Sequence, residues 1–455
     1  MKKKTIVFLV ALSLMVLPVA AKAAEFTLGG YIKMEMIWDS TQTNKNLLNW
    51  IARNNDANMQ HGRLKMTAEN TRMHFTIKGP KVFGAETTGY IEWDFDEHAR
   101  DVAEYPGSPH KARLGLRHAM FRLNWPETEL MLGQYWSVCT EEIPETANFG
   151  AVTTAGQPFL RTPQIRLTQK FLGDWTASFA LSEPENGLWG LALDASQVNN
   201  NFAGESSETP KVEGRIKFEK DLWGKAAFWG KPRPFSARVA GFWSRIRYRN
   251  TGLPAFTAVP TFDQNAFVNI TATQRNQQYL ENWMVEGSLF IPLLPTYSAN
   301  LAGSASLLTQ WFVGAGLDAY YEDFSNNSSY LIARTFLWPG ATVITADREL
   351  MHRYGGFIQL QYYFTNQWFV NAVWGMNKAF GVDMDRWMGV TAASDPMKMN
   401  QHYYMTLWYQ PVKALKFGLE YTYVRTDYFQ KVTTGSNISD KGENHRMMFC
   451  GFFFF

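Results

Sequence analysis

Residues 84–96 read Gly84-Ala85-Glu86-Thr87-Thr88-Gly89-Tyr90-Ile91-Glu92-Trp93-Asp94-Phe95-Asp96. In an extended chain Ala85, Thr87, Gly89, Ile91, Trp93 and Phe95 fall on one side. Glu86, Thr88, Tyr90, Glu92, Asp94 and Asp96 fall on the other. A period of two with one apolar and one charged side marks a strand between two unlike environments. The pattern recurs along the chain. In 164–171, Ile165, Leu167 and Phe171 oppose Arg166, Thr168 and Lys170; in 174–182, Trp175, Ala177, Phe179 and Leu181 oppose Thr176, Ser178 and Ser182. In 211–218, Val212, Ile216 and Phe218 oppose Lys211, Glu213, Arg215 and Lys217; in 415–423, Leu415, Phe417, Leu419, Tyr421 and Tyr423 oppose Lys416, Glu420 and Thr422.

A soluble sandwich alternates too, so three further features decide between it and a transmembrane barrel. Aromatic residues make up 15% of the chain (17 Trp, 19 Tyr, 33 Phe) and crowd the apolar faces, as interfacial girdles require. Connections alternate between tight ones (Pro126-Glu127-Thr128, Leu172-Gly173, Thr365-Asn366, Pro411-Val412) and long ones (39–62, 137–161, 184–209, 250–280, 311–351, 379–398). Outer-membrane barrels have short periplasmic turns and long outer loops in that order. The chain also ends in a strand in which Met447, Phe449, Gly451, Phe453 and Phe455 share a face; as a soluble edge this would invite aggregation. The expected fold is therefore all-β, an antiparallel transmembrane barrel. Strands are predicted near 26–38, 63–78, 84–96, 112–125, 129–136, 163–171, 174–183, 210–220, 235–249, 280–292, 297–310, 352–365, 367–378, 400–410, 414–426 and 444–455. That is sixteen, with both ends on the periplasmic side. Leu331–Leu337 and Ala341–Thr345 also read as strands; they extend a hairpin above the membrane or raise the count to eighteen.

Lys2, Lys3 and Lys4, the apolar run from Ile6 to Ala20 and Ala21-Lys22-Ala23 read as a signal peptide at 1–23, cleaved after Ala23. The barrel then occupies 24–455. Four of the 44 basic residues leave with the signal (Lys2, Lys3, Lys4, Lys22) and none of the 41 acids, so 40 bases face 41 acids. That balance gives no support to a nucleic-acid partner. No later stretch has 18 consecutive apolar residues, so no helical span is expected. The two cysteines, Cys139 and Cys450, do not form a scaffold, although a bridge pinning one loop to the last strand stays open. No metal or haem spacing occurs and no cofactor is expected.

Several segments, in order, carry a family resemblance: Gly30-Tyr31-Ile32-Lys33; Ile77-Lys78-Gly79-Pro80 with Thr88-Gly89-Tyr90-Ile91-Glu92-Trp93-Asp94-Phe95; Leu116-Arg117-His118-Ala119; Leu132-Gly133-Gln134-Tyr135-Trp136-Ser137; Pro144-Glu145-Thr146, Phe149-Gly150 and Ala155-Gly156-Gln157-Pro158-Phe159-Leu160-Arg161-Thr162-Pro163-Gln164-Ile165-Arg166; and Gly418-Leu419-Glu420-Tyr421. They resemble the DcaP-like outer-membrane porins, from about residue 26 to the C-terminus and most weakly over 185–350. The resemblance implies a sixteen-stranded barrel, usually trimeric, with a folded-in third loop and a preference for small anions, dicarboxylates above all. Independently, the terminal aromatic Phe455 with aromatics before it resembles, in part, the signal read by the bacterial barrel-assembly machinery, which is an expected partner. Some members carry a coiled-coil segment before the barrel; here Ala24-Glu25 leads straight into the first strand.

A pore selects by diameter and lining charge. A Lys or Arg on the lipid face costs roughly 2–4 kcal/mol at the midplane, so mid-strand charges belong in the lumen. The candidate lining residues are Arg113, Arg117, Arg161, Arg166 and Lys170, the acids Glu92 and Asp94, and Glu141, Glu142 and Glu145 on the long loop 137–161, the expected constriction. Arg113, Arg117, Arg161 and Arg166 are expected to form a basic ladder for carboxylates, or to pair with loop acids and hold the loop down. Strand 112–125 shifts phase near His118, and 63–78 near Ala68–Asn70. Glu92, Asp94 and Asp96 suit a solvated lumen stripe better than a cation site. Ser137 has no evident His/Asp partners, and no catalytic constellation is present. The expected function is passive diffusion of small hydrophilic solutes, preferably anions, across the outer membrane of a Gram-negative bacterium. The alternatives are a general or cation-preferring porin, and a barrel that sheathes a partner protein.

Overall fold

The structure, a computed structural model, describes residues 24–41, 43, 50–54, 61–97, 113–148, 154–184, 208–248, 278–317, 320–321, 329–338, 341–381, 397–434 and 437–455. The leader at 1–23 lies outside them. Among the described residues every regular element is a strand. The chain runs through β1 (Glu25–Asp39), β2 (Arg63–Thr67), β3 (Arg72–Lys78), β4 (Glu86–Glu97), β5 (Arg113–Asn124), β6 (Thr128–Trp136), β7 (Arg161–Phe171), β8 (Trp175–Ser182) and β9 (Lys211–Lys220). A short hairpin follows, β10 (Ala226–Phe228) and β11 (Lys231–Arg233), then β12 (Phe235–Tyr248), β13 (Gln278–Leu294) and β14 (Ala305–Ala315). A second hairpin, β15 (Ser329–Trp338) and β16 (Ala341–Leu350), leads to β17 (His352–Tyr363), β18 (Trp368–Phe380), β19 (Met397–Val412), β20 (Leu415–Thr434) and β21 (Asn437–Phe454).

Every sheet pairing is antiparallel. β2 and β3 form one interrupted stave, since both pair with β1. β21 pairs with β1 from Tyr31↔Phe454 to Asp39↔Arg446 and closes the sheet. The two hairpins stay out of that sheet, which leaves a closed barrel of sixteen staves. Closure satisfies the backbone of each stave and removes any free edge. β15 and β16 pair only with each other, so the eighteen-strand alternative falls.

One predicted strand is misplaced. The stave expected at 297–310 is β14, Ala305–Ala315. Residues 297–304 are a turn whose side chains compete with the ladder. Ser298 Oγ accepts the Asn300 amide at 3.1 Å, Asn300 Oδ1 accepts the Ala302 amide at 3.1 Å, and Gly303 takes φ 79°. β20 and β21 also outrun the predicted 414–426 and 444–455, continuing as a ribbon to Thr434 and Asn437 beyond a register shift at Asp427/Val432.

Burial is the reverse of a soluble protein's. Outward Ile165, Val239, Val285 and Leu419 are half or more exposed, while inward Gln310, Asn371, Thr406 and Asn444 are fully buried. Trp368 stacks on Tyr409 at 4.3 Å near the end that holds residues 24 and 455, and Tyr354 meets Phe380 edge-on at 5.7 Å near the long-loop end. Phe449, Phe453 and Phe455 face outward with this belt. Val239 sits midway between Phe235 and Trp243 on the outward face of β12. Val239→Arg is therefore expected to lower folding stability by roughly 2–4 kcal/mol in a bilayer. Urea titration in phosphatidylcholine vesicles checks this; an unchanged midpoint would mean that this face does not meet lipid.

Candidate functional site

The lumen is partly filled by the connection between β6 and β7. From Trp136 the chain turns inward and crosses to the far wall. Ser137 Oγ and the Val138 amide donate to Glu213 Oε2 at 2.6 and 2.8 Å. Glu141 accepts Arg215 at 2.5 Å and Lys217 at 2.8 Å. Glu142 accepts both terminal nitrogens of Arg233 at 2.7 Å. Glu145 accepts Gln361 Nε2 at 2.7 Å and pairs with Lys416, and its amide donates to Gln359 at 2.6 Å. The amides of Ala147 and Asn148 donate to the two oxygens of Glu420 at 2.6 and 3.0 Å. Lys33 donates to the Ala147 carbonyl at 2.9 Å, and Arg446 to Asn148 Oδ1 at 3.0 Å.

The returning limb, 154–160, lies flat on the wall. A Cβ on Gly156 (φ 76°) would stand 2.2 Å from the Met376 carbonyl, and one on Gly375 2.2 Å from the Ala155 carbonyl. Only glycine allows this backbone-to-backbone approach. The Ala155 amide donates to His402 Nδ1 at 3.0 Å and the Phe159 amide to the Tyr320 carbonyl at 2.8 Å. The loop thus covers the inner wall of β9, β12, β17 to β21 and β1.

Two of its acids, Glu141 and Glu142, are held ionised. Burial alone would push the Glu141 carboxyl up, but Arg215, Arg238 and Lys217 override it and hold it below the usual carboxylate range. Glu142 behaves likewise, burial being outweighed by the Arg233 charge and its two hydrogen bonds. Ser137, Tyr320, Lys211 and Glu213 also form a hydrogen-bonded cluster, with Ser137 Oγ to Tyr320 Oη and Lys211 Nζ to Tyr320 Oη both 3.0 Å. All four are buried, so the cluster anchors the loop and offers no nucleophile to a solute.

The loop anchors lie on β9, β12, β17 to β21 and β1; the opposite wall, β3 to β8, carries the predicted arginines. At β4/β5 the register slips between Glu92↔His118 and Trp93↔Leu116, so Arg117 is an extra residue. This bulge turns both Arg117 and His118 inward. Arg117 bonds Glu92 at 3.0 Å and pairs with Asp94, and Arg72 stands 3.7 and 3.6 Å from the same two acids. The acids predicted as a solvated stripe are therefore neutralised by arginine; the Asp96 side chain lies outside the described residues.

Arg161 is flanked by Trp136 at 5.4 Å and Phe159 at 5.8 Å. Arg166 lies over Tyr135 at 5.5 Å, with the Trp136 carbonyl 3.4 Å from Nη1. Neither has an ion-pair carboxylate among the described residues. Lys170 is exposed at the terminal end of β7. The Arg113 side chain lies outside the described residues. Both cysteines are free and sit in separate clusters, Cys139 with Phe242 and Tyr320, Cys450 with Trp408 and Phe452.

Sequence reasoning missed Arg122 and Glu129. Arg122 lies over Tyr135 at 4.8 Å and pairs with Glu129 at 3.6 Å. The signal was present, because carrying the phase shift at His118 forward puts Met120, Arg122 and Asn124 on the inner face.

No protein-family model matches the chain, and no curated protein matches it. Solved structures do. The outer membrane channel DcaP of Acinetobacter baumannii is 14% identical over 95% of this chain and 98% of that one, with a TM-score of 0.64. OmpT of Vibrio cholerae is 8% identical over 95% and 98%, with a TM-score of 0.49; OprB of Pseudomonas putida is 9% identical over 95% and 94%, with a TM-score of 0.47. The fold is that of the outer-membrane porins.

Proposed function

We propose that this porin-type barrel is a passive diffusion pore of the outer membrane of a Gram-negative bacterium, with a preference for small anions, dicarboxylates among them. The observation that carries the preference is the state of Arg161 and Arg166. The acids of the 137–160 loop each have a cationic partner, as do Glu92 and Asp94. Arg161 and Arg166 rest on aromatic faces with no ion-pair carboxylate among the described residues, on the wall opposite the loop's anchors. The terminal nitrogens of Arg166 meet only weak neutral acceptors, the Trp136 carbonyl at 3.4 Å and Met131 Sδ at 3.3 Å, which a carboxylate would displace. Uncompensated positive charge in a narrow passage favours anions. The selective pair is thus Arg161 and Arg166, and the loop is the constriction that holds solutes against them. Passive movement needs no energy input. A homotrimer, on the strength of the family resemblance, and recognition by the barrel-assembly machinery, on the strength of the terminal aromatic Phe455, are part of the proposal.

Planar-bilayer conductance of the purified protein across a salt gradient tests it. The expected result is steps in threes and a reversal potential on the anion side. Arg166→Glu should reduce the anion-to-cation permeability ratio on the order of tenfold, since a two-charge change about 5 Å away in a water-like dielectric is worth about 1–2 kcal/mol. A ratio unchanged by this substitution would remove the arginine account. Cation preference in the unaltered protein would keep the pore and reject the anion reading.

A further inference from the structure

The connection from β9 to β12, residues 221–234, faces the terminal end, where turns are expected to be short, yet it folds into the lumen. Ala226 packs on Phe290, Leu308 and Phe357, inward residues of β13, β14 and β17. Ser306 Oγ donates to the Ala227 carbonyl at 2.9 Å, and Lys225 and Thr296 exchange backbone hydrogen bonds at 3.0 and 2.6 Å. The tip is a tight turn with Trp229 at φ 49° and Gly230 at φ 71°. A tryptophan in left-handed backbone persists only where its surroundings hold it. Here the indole nitrogen donates to the Ile143 carbonyl at 3.0 Å, in the middle of the 137–160 loop.

Arg233, at the end of β11, makes the second grip. Its guanidinium lies between the rings of Phe228 and Phe290 at 4.7 and 4.8 Å, and Nη2 donates to Ser236 Oγ at 2.8 Å. So oriented, it forms the double hydrogen bond to Glu142. On its other side the hairpin borders a cavity of about 230 Å³, with Tyr31, Trp408 and Phe452 among its walls. One element therefore both supports the loop and shapes the open space beside it.

We propose that the β10–β11 hairpin sets the position of the pore constriction from the terminal end, with Arg233 as its positioning residue acting through Glu142. The inference rests on the pore reading for its consequence but not for its geometry. Arg233 touches no solute; it fixes where the 141–145 segment stands in the lumen, and so the width left along β3 to β8.

The test uses the full-length barrel in three forms: Arg233→Glu, Arg233→Met, and the exchange Arg233→Glu with Glu142→Arg. Heat-resistant migration on gels establishes that each is folded. Arg233→Met keeps an apolar stem between Phe228 and Phe290 and serves if charge reversal prevents folding. The first readout is hydrogen exchange of amides 137–148, which does not depend on conduction. Loss of the pair should speed their exchange about tenfold or more, and the charge exchange should restore protection. The second is single-channel current, expected to become larger and noisier in the single variants and to recover in the exchange. Unchanged protection and current in the single variants would overturn the proposal, as would an exchange variant no better than Arg233→Glu. A wild-type barrel that does not conduct defeats the pore reading, while the exchange data still decide whether the hairpin positions the loop.

Discussion

Glu420→Ala is expected to undock the tip of the 137–160 loop and raise single-channel conductance. Glu420 is fully buried and accepts four donors: the amides of Ala147 and Asn148, Thr406 Oγ1 at 2.6 Å and Thr422 Oγ1 at 3.4 Å. Alanine leaves the two loop amides without an acceptor, at about 1–3 kcal/mol each. The loop has an alternative that the barrel wall lacks, because it can swing into the water-filled lumen and solvate those amides. The loss therefore falls on loop docking, roughly 2–6 kcal/mol, and much less on barrel stability. Glu420→Gln keeps one carbonyl oxygen and should fall between. Single-channel recording and hydrogen exchange at Ala147 and Asn148 report the two sides of the effect. Conductance and exchange both at wild-type level in Glu420→Ala would show that the loop is held elsewhere.

Asp39→Ala should produce the largest loss of barrel stability. Asp39 and Arg446 face each other across the β1–β21 seam, both fully buried. Asp39 accepts Arg446 Nε at 2.8 Å and Nη2 at 3.0 Å, Arg63 Nε at 2.8 Å and Asn444 Nδ2 at 2.9 Å. Removing one partner of a buried pair leaves the other charge without its counterion, at about 3–5 kcal/mol. The Asn148 Oδ1 that Arg446 also bonds at 3.0 Å is a neutral acceptor and cannot replace the Asp39 carboxylate. Asp39→Asn retains part of the hydrogen bonding and should lose about half as much. Urea unfolding in lipid vesicles measures this, and a wild-type midpoint for Asp39→Ala would refute it.

The staves were readable because each lies between two solvents. Ile165, Leu167 and Phe171 meet lipid while Arg166 and Thr168 meet the lumen, so the period of two survives wherever both environments are present. Legibility failed where a local or a long-range contact replaced one of them. At 297–304 the Ser298 and Asn300 side chains capture backbone amides that a strand would have used. At His118 one extra residue exchanges the faces, and Arg122 goes with it. The inward fold of β10–β11 had a trace in the partner strands, not in its own residues: Phe290 and Leu308 are apolar at lumen positions, which signals that something covers them. The acids Glu213 and Glu420 were readable as inward charges. Their roles as acceptors for loop amides were not, because nothing local records which distant segment will arrive.

The seam between β1 and β21 has a consequence for when the molecule can exist. The partners Asp39 and Asn444 stand 405 positions apart in the chain. Until β21 has been made and delivered, β1 has no neighbour on that side and the sheet keeps two open edges. The loop-closure entropy of so long a separation grows only logarithmically, but the search it imposes is slow, and the unfinished ribbon is open to wrong partners throughout. Completion is thus a single late event. Interactions confined to the seam, those of Asp39 and Arg446 among them, should act mainly on how long a finished barrel lasts and little on how fast one is made.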